Sequence, residues 1–263
     1  MIKSLYTAAT GMKAQQLYVD AISNNLANVN TAGFKRSQPT FQDLLYVTLK
    51  SPGLDVSGGV PNPVGIQVGS GVRVSGTTLN FKPGNLEGTN RSLDVAIKGD
   101  GFFQVTLPNG TTAYTRDGHF QVDRDRRLVT VDGLRVIPAI QFPSDTIRVS
   151  ISRDGAVSVT QASSPDKSTP LGKLQLGRFV NPAGLLARGG NIFLATEASG
   201  PAQILNPGEG GTGELQQSFL ERSNVEVVSE LVNLIVAQRA YEVNSRAIRS
   251  SDQMLSQTTN IVR

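Results

Sequence analysis

Two stretches of seven-residue apolar spacing, one at each end of the chain, restrict its fold more than any other feature. Near the C-terminus Val227, Leu234, Tyr241, Ile248, Leu255 and Val262 recur without a miss. A period of seven returns to one face only on a helix, and that helix alone cannot bury the stripe it makes. The alternate seam reads Leu231, Gln238, Ser245, Asp252 and Thr259, apolar at first and polar later. An isolated two-stranded coiled coil would keep both seams apolar, so this helix is expected to make different contacts on different sides. Just ahead, Ser223-Asn224-Val225-Glu226 has the Ser-x-x-Glu form of a capping box. At the other end Leu5, Met12, Val19 and Leu26 form one seam, with Ala8, Gln15, Ile22 and Val29 as the second. A helix from about Ser4 to Asn28 would be roughly 37 Å long at about 1.5 Å per residue. Gly33 is placed to close it in the left-handed conformation. Gly11 inside it costs about 1 kcal/mol relative to alanine, but beside Ala8 and Ala9 it opens a face that another helix can approach closely.

From about Phe34 to Gly213 the helical period vanishes. Strand-like runs replace it at 71–74, 93–97, 102–105, 119–122, 128–131, 147–151, 156–159 and 192–194, with Asn109-Gly110, Asp117-Gly118, Asp132-Gly133 and Asp154-Gly155 as turn dipeptides. An echo between 116–122 and 153–159 reads as recurrent hairpin chemistry, not a repeat. Ser51 to Ser70 and Asn206 to Gly213 are rich in glycine and read as connectors that act as hinges. The expected fold class is α+β: a discontinuous domain of paired, coiled-coil-like terminal helices (1–35 and 218–263), extended connectors (36–75 and 205–217) and a mainly antiparallel β domain (76–204).

Composition excludes several functions. The 27 glycines and 13 prolines suit a turn-rich β region. The 25 basic and 21 acidic residues are dispersed, and the Asp123 to Arg127 cluster alternates in sign as a solvated hairpin tip does, so no nucleic-acid partner is expected. There is no cysteine, hence no disulfide or thiolate metal site. The run from Leu231 to Ala237 is interrupted by Asn233 and far too short to span a bilayer, and no cleavable signal segment is visible at the N-terminus. Gly99-Asp100-Gly101 precedes a strand, whereas phosphate cradling needs a helix there, so it reads as a hairpin turn. His119, the single histidine, has no second ligand or triad signature around it and reads as a hairpin residue. Asp117, Asp123, Asp125, Asp132 and Asp154 match no calcium loop and sit where turn residues belong. No catalytic, cofactor-binding or metal-binding residues are expected, and the chain is not expected to be an enzyme.

The terminal helices therefore carry the function. They could pair within one monomer over the β region, or pack against copies of the chain. A membrane-surface role is disfavoured, because neither has a bulky aromatic face opposite a basic one. Asn24, Asn25, Asn28 and Asn30 crowd one helix end, where asparagine is a poor helix former. One or two can cap; the rest point to lateral hydrogen bonds with neighbouring chains.

The same residues carry a resemblance. Ala9-Thr10-Gly11-Met12, Ala14-Gln15-Gln16 and the run from Ile22 to Lys35 are similar to the N-terminal signature of bacterial flagellar rod and hook proteins. Ser223-Asn224-Val225, Ser229 to Asn233 and Gln238 to Ser245 resemble that family's C-terminal signature, and Leu93 to Phe103 resembles the start of its β domain. The likeness covers essentially the whole chain. Length and Tyr241-Glu242-Val243-Asn244 point to the distal rod over the proximal rod or hook. One departure is Arg126, which stands where such proteins often place a turn glycine. The resemblance implies a structural subunit that self-assembles into a hollow helical drive shaft transmitting torque from motor to hook. It implies export through the flagellar type III apparatus without a cleaved signal peptide, and a place in the basal body along a periplasm-spanning rod. Implied partners are identical subunits, proximal rod proteins, hook protein and basal-body ring proteins. The residues expected to form the self-assembly interface are Leu5, Met12, Val19, Ile22, Leu26, Val227, Leu231, Leu234, Tyr241, Ile248 and Leu255, with Asn24, Asn25 and Asn28. Two other readings stay open: a proximal rod or hook subunit, and a secreted adhesive or carbohydrate-binding β protein.

Overall fold

The computed structural model describes residues 2–51, 55–56, 60–61 and 64–261. Val262 of the C-terminal seam and parts of the glycine-rich stretch from Ser51 to Ser70 lie outside the described residues. Two long helices, α1 (Ile2–Ala27) and α2 (Val227–Ile261), bracket a region of strands. The α+β expectation is met, with the strands antiparallel wherever their pairing is defined. The chain divides into two compact units, each discontinuous: a helical unit (Met1–Leu26, Ser37–Thr78 and Glu226–Arg263) and a β unit (Ala27–Arg36 and Leu79–Val225).

The start of α2 departs from the capping box read in the sequence. The first intrahelical bond runs from the Glu230 N–H to the Glu226 carbonyl at 3.0 Å, which makes Glu226 the cap. Ser229 donates its hydroxyl to the Glu226 carboxylate at 2.9 Å. Ser223 instead accepts the Val225 N–H at 3.3 Å in a local turn. The chain takes the next glutamate–serine pair, in the opposite order, and buries Val225 just ahead of the helix.

In the helical unit, the segment after α1 is not an irregular connector. Ser37–Asp43 pairs with Val72–Leu79, Val47–Lys50 with Ile66–Val68, and Asp55–Val56 with Val60–Pro61. These strands escape a hydropathy reading because little of them is buried. They are pinned to α1 at two places. Tyr18 packs edge-on against Phe41, with centroids 6.2 Å apart. Gly71 comes so close to α1 that a Cβ there would stand 2.3 Å from the Thr10 hydroxyl.

The β unit is built on a nine-stranded antiparallel sheet. Its centre is Phe102–Thr106, flanked by Thr112–Thr115 and Arg135–Ile137, with Leu176–Arg178 pairing one end. Both faces of that central strand are covered. Phe103 and Val105 enter the main core with Phe120, Leu128, Ile140, Leu174 and Leu215, while Phe102 joins an aromatic cluster with Tyr114, Phe179 and Phe193. A three-stranded sheet (Thr146–Ile151, Ala156–Gln161 and Ser164–Lys173) adds Ile151, Val157 and Val159 to the core.

All eight expected strand runs are present. Gly99-Asp100-Gly101 is a turn, but not a hairpin: Val95–Lys98 before it pairs with Glu214–Gln217, and Phe102–Thr106 after it pairs elsewhere. The glycine-rich return segment is a tied loop and not a slack hinge. Thr212 donates to the carbonyls of Asn206 and Glu209, and the Gly213 N–H donates to the Asp100 carbonyl at 2.7 Å. At the Asp123–Arg127 tip, Arg126 takes φ +59°, the left-handed conformation that glycine adopts without a Cβ penalty. The hairpin closes around it, with the Arg126 N–H on the Asp123 carbonyl at 2.8 Å.

Candidate self-assembly surface

Helices α1 and α2 pair antiparallel. Asn25 meets Glu230 near one end, with the amide Nδ2 donating to the carboxylate at 3.3 Å. Near the other end, a Cβ on Gly11 would stand 3.0 Å from Asn244 Nδ2. Fourteen residues separate Gly11 from Asn25 and Asn244 from Glu230, so one register holds over about 21 Å of helix at about 1.5 Å rise per residue.

The side chains meeting inside the chain are mostly small or polar. On α1, Ala8, Ala14, Ile22 and Asn25 are buried; on α2 the buried positions are Glu230, Ala237 and Ser251. Glycine and alanine at such positions allow a close helix approach, at the expense of apolar area. Of the expected interface residues, Ile22 is buried in the chain itself. Leu5, Met12, Val19, Leu26, Leu234, Ile248 and Leu255 are half-buried, and Val227, Leu231 and Tyr241 are exposed. The inner seam of α2 therefore follows 230, 237, 244 and 251, beside the Leu234 seam. In the expected companion seam Leu231, Gln238 and Asp252 are exposed and Ser245 is half-buried, while the side chain of Thr259 lies outside the described residues.

What α2 leaves uncovered is large and apolar. Val228 is 69 % exposed, Val232 54 %, Ile235 58 % and Val236 59 %. On one helical turn after another these form a continuous face with Leu231. A second exposed apolar set lies in the segment after α1, where Leu49 on the Val47–Lys50 strand and Leu45 and Val64 in the adjoining loops stand in solvent. Isolated exposed leucines and valines are ordinary, whereas a contiguous apolar helix face marks an interaction surface.

The asparagines divide. Asn25 is buried, and its side chain is fully used within its own chain: Oδ1 accepts the Ser37 N–H and Nδ2 donates to the Ser37 carbonyl, both at 2.9 Å. Asn28 accepts the Thr31 hydroxyl at 3.1 Å, inside the turn that ends α1. Asn30 accepts from Arg222 at 3.2 Å. Asn24 is exposed on α1.

Sequence reasoning missed the densest polar site. In the β unit, Lys35 Nζ lies 2.6 Å from Glu221 Oε1 and donates to the Lys82 carbonyl at 2.9 Å. Arg116 Nε lies 3.2 Å from Glu221 Oε2, and its other nitrogens donate to the carbonyls of Gly101 and Gly99. The Gly84 N–H also donates to Glu221 at 2.8 Å. All three charged side chains are essentially out of solvent. Burial pushes the Lys35 amine down to about 8, against the pull of Glu221, and burial also lowers the Arg116 guanidinium. Beside this cluster Asn224 accepts the Arg36 N–H and donates to the carbonyls of Asn80 and Lys82. Lys35, Glu221 and Asn224 thus clasp the two chain segments that adjoin the helices onto the β unit. A lysine between Phe34 and Arg36 carries no sequence sign of such burial.

Asp117 and Asp132 come close enough to repel one another, but among the described residues no three of His, Cys, Asp and Glu come together as a metal site. No helix among them is long and apolar enough to cross a membrane.

Three family models match in order along the chain. The flagella basal body rod protein model covers residues 5–35, the flagellar hook protein FlgE/F/G D1 domain covers 96–159, and the flagellar basal body rod FlgEFG protein C-terminal model covers 216–261. Whole-length relatives agree. The chain is 47 % identical to the flagellar basal-body rod protein FlgG of Borreliella burgdorferi, covering 100 % of both chains. It is 50 % identical to the protein of that name from Buchnera aphidicola, over 97 % of this chain and 98 % of the relative. With that of Caulobacter vibrioides the identity is 46 %, over 99 % of each.

Proposed function

The chain belongs to the flagellar basal-body rod protein family, and from that membership we propose that it is a structural subunit of the distal rod. Copies assemble through their terminal helices into a hollow helical shaft that transmits torque from motor to hook. Proximal rod proteins, hook protein and the surrounding basal-body rings are its neighbours in this reading. The subunit reaches the periplasm-spanning rod through the flagellar export apparatus without a cleaved signal. A structural part of this kind needs no catalytic residues.

The observation that carries the reading is the outer face of α2. Val228, Val232, Ile235 and Val236 stand more than half exposed while small and polar residues fill the contact with α1. Burying each against a neighbour is worth on the order of 1 kcal/mol, and a helical lattice repeats the gain at every subunit. Val232→Asp with Ile235→Asp tests it. Both side chains are solvent-facing in the single chain, so the β unit and helix content should persist while tube formation, seen by electron microscopy, and swimming are lost. Tubes and motility retained by the double variant would refute the reading. Neither the hook and proximal rod alternatives nor an adhesive β protein draws support from relatives that match end to end under the rod protein's name.

A further inference from the structure

The apolar seams leave the pairing of α1 with α2 degenerate. Leu5, Met12, Val19 and Leu26 on one helix, and Leu234, Tyr241, Ile248 and Leu255 on the other, repeat every seven residues. Sliding either helix by one heptad therefore sets apolar side chains opposite apolar side chains again. Something else must choose the register, and the contact between Asn25 and Glu230 has the required property. In a slip one way, Asn25 faces Ala237 and Glu230 lies beyond the end of α1. In a slip the other way, Glu230 faces Tyr18 and Asn25 lies beyond the start of α2.

We propose that Asn25 and Glu230 are positioning residues that select the single register in which the terminal helices pair, and so fix which α2 side chains face outward. Asn25 cannot turn away to suit another partner, because Ser37 holds both ends of its amide. Glu230 sits in the first turn of α2, where the helix N-terminus favours a carboxylate, and only 1 % of it is exposed. In the slip that sets Glu230 against Tyr18, the carboxylate stays against α1 without the amide that meets it, the arrangement buried charges tolerate least; in the other slip the Asn25 amide faces Ala237 and loses the carboxylate it donates to. The bearing on assembly rests on the reading above; the register itself does not.

The absence of cysteine makes disulfides a clean reporter. In the full chain, Gly11→Cys is combined with Asn244→Cys to report the observed register, or with Ala237→Cys or Ser251→Cys to report the two slips. The latter two also carry Asn244→Ala to relieve the close approach. The 11/244 disulfide should form in at least about tenfold excess over either slipped pair, equivalent to roughly 1.4 kcal/mol. With Asn25→Leu and Glu230→Leu together the excess should fall to within about twofold. Leucines in place of a buried polar pair keep the helices packed, and helix content by circular dichroism checks this. Glu230→Gln, which still offers an oxygen to Asn25, should retain the preference. An excess unchanged in the leucine variant, or absent from the chain with Asn25 and Glu230 intact, overturns the proposal. A chain that keeps its register yet forms no tubes counts against the assembly reading alone.

Discussion

Replacing Glu221 by glutamine keeps the shape of the side chain and removes the carboxylate that two buried cations share. Lys35 and Arg116 approach it at 2.6 and 3.2 Å, with side chains 0 % and 2 % exposed. Asp100 is the other acidic group close enough to act on both. Breaking a buried ion pair costs about 3–5 kcal/mol, mostly because the surviving charge is left uncompensated. Glu221→Gln should therefore lower the stability of the β unit by about that much at pH 6.5. The assay is urea denaturation followed by near-ultraviolet circular dichroism, which reports Tyr114 and its phenylalanine neighbours. The sign of the pH dependence is a second constraint. Burial holds the folded Lys35 amine at about 8, below its ordinary value of 10.5. Between those values the unfolded chain binds more protons, so the contribution of Lys35 to stability is flat below pH 8 and rises with pH from about 8 to 10.5. Above that folded value Lys35 is neutral, so the unsubstituted chain also lacks its attraction to Glu221. The penalty of Glu221→Gln should thus be smaller at pH 10 than at pH 6.5. A loss below about 1 kcal/mol at pH 6.5, or a penalty that grows with pH, would refute the account of the clasp.

Other expectations follow from single contacts. Arg126→Gly relieves a left-handed arginine at φ +59° and should stabilise the β unit by up to about 1 kcal/mol in the same urea assay; a clear loss would mean the arginine makes an unseen compensating contact. Gly118→Ala places a Cβ 1.6 Å from the Val95 carbonyl and should cost about 3 kcal/mol or more, with thermal unfolding by circular dichroism as the check and near-wild-type melting as the contrary result. Val225→Asp buries a charge just ahead of α2, in a position 8 % exposed, and should lower the melting temperature well beyond the effect of Val228→Asp on the exposed face.

How much of this was legible depended on where side-chain size and burial agree. The terminal helices could be read because their apolar residues keep a helical period over long runs. Which side of α2 meets α1 could not, since the inner seam uses Glu230, Ala237, Asn244 and Ser251 while Val232 and Ile235 face out. Hydropathy follows the large residues and so marks the outer face. The strand at Phe102–Thr106 was plain from its aromatic and β-branched residues. Ser37–Asp43 and Ser164–Lys173 were not, as each carries proline among polar residues and lies largely in solvent. The asparagines announced hydrogen bonding, but nothing in sequence says that the partner of Asn25 is the backbone of Ser37. Lys35 stayed hidden because its counter-charge lies 186 residues away.

That separation has a consequence for how the molecule comes into being. The Lys35–Glu221 bond spans 186 residues and the Asn25–Glu230 bond 205, so neither compact unit can be finished by the leading part of the polypeptide. Closing loops of this length is slow, and nothing rewards it until the distal segment arrives. Local hairpins can form as soon as their own residues are present, but Lys35 waits for Glu221 and Asn25 for Glu230, so each unit is closed at its ends only by the distal segment.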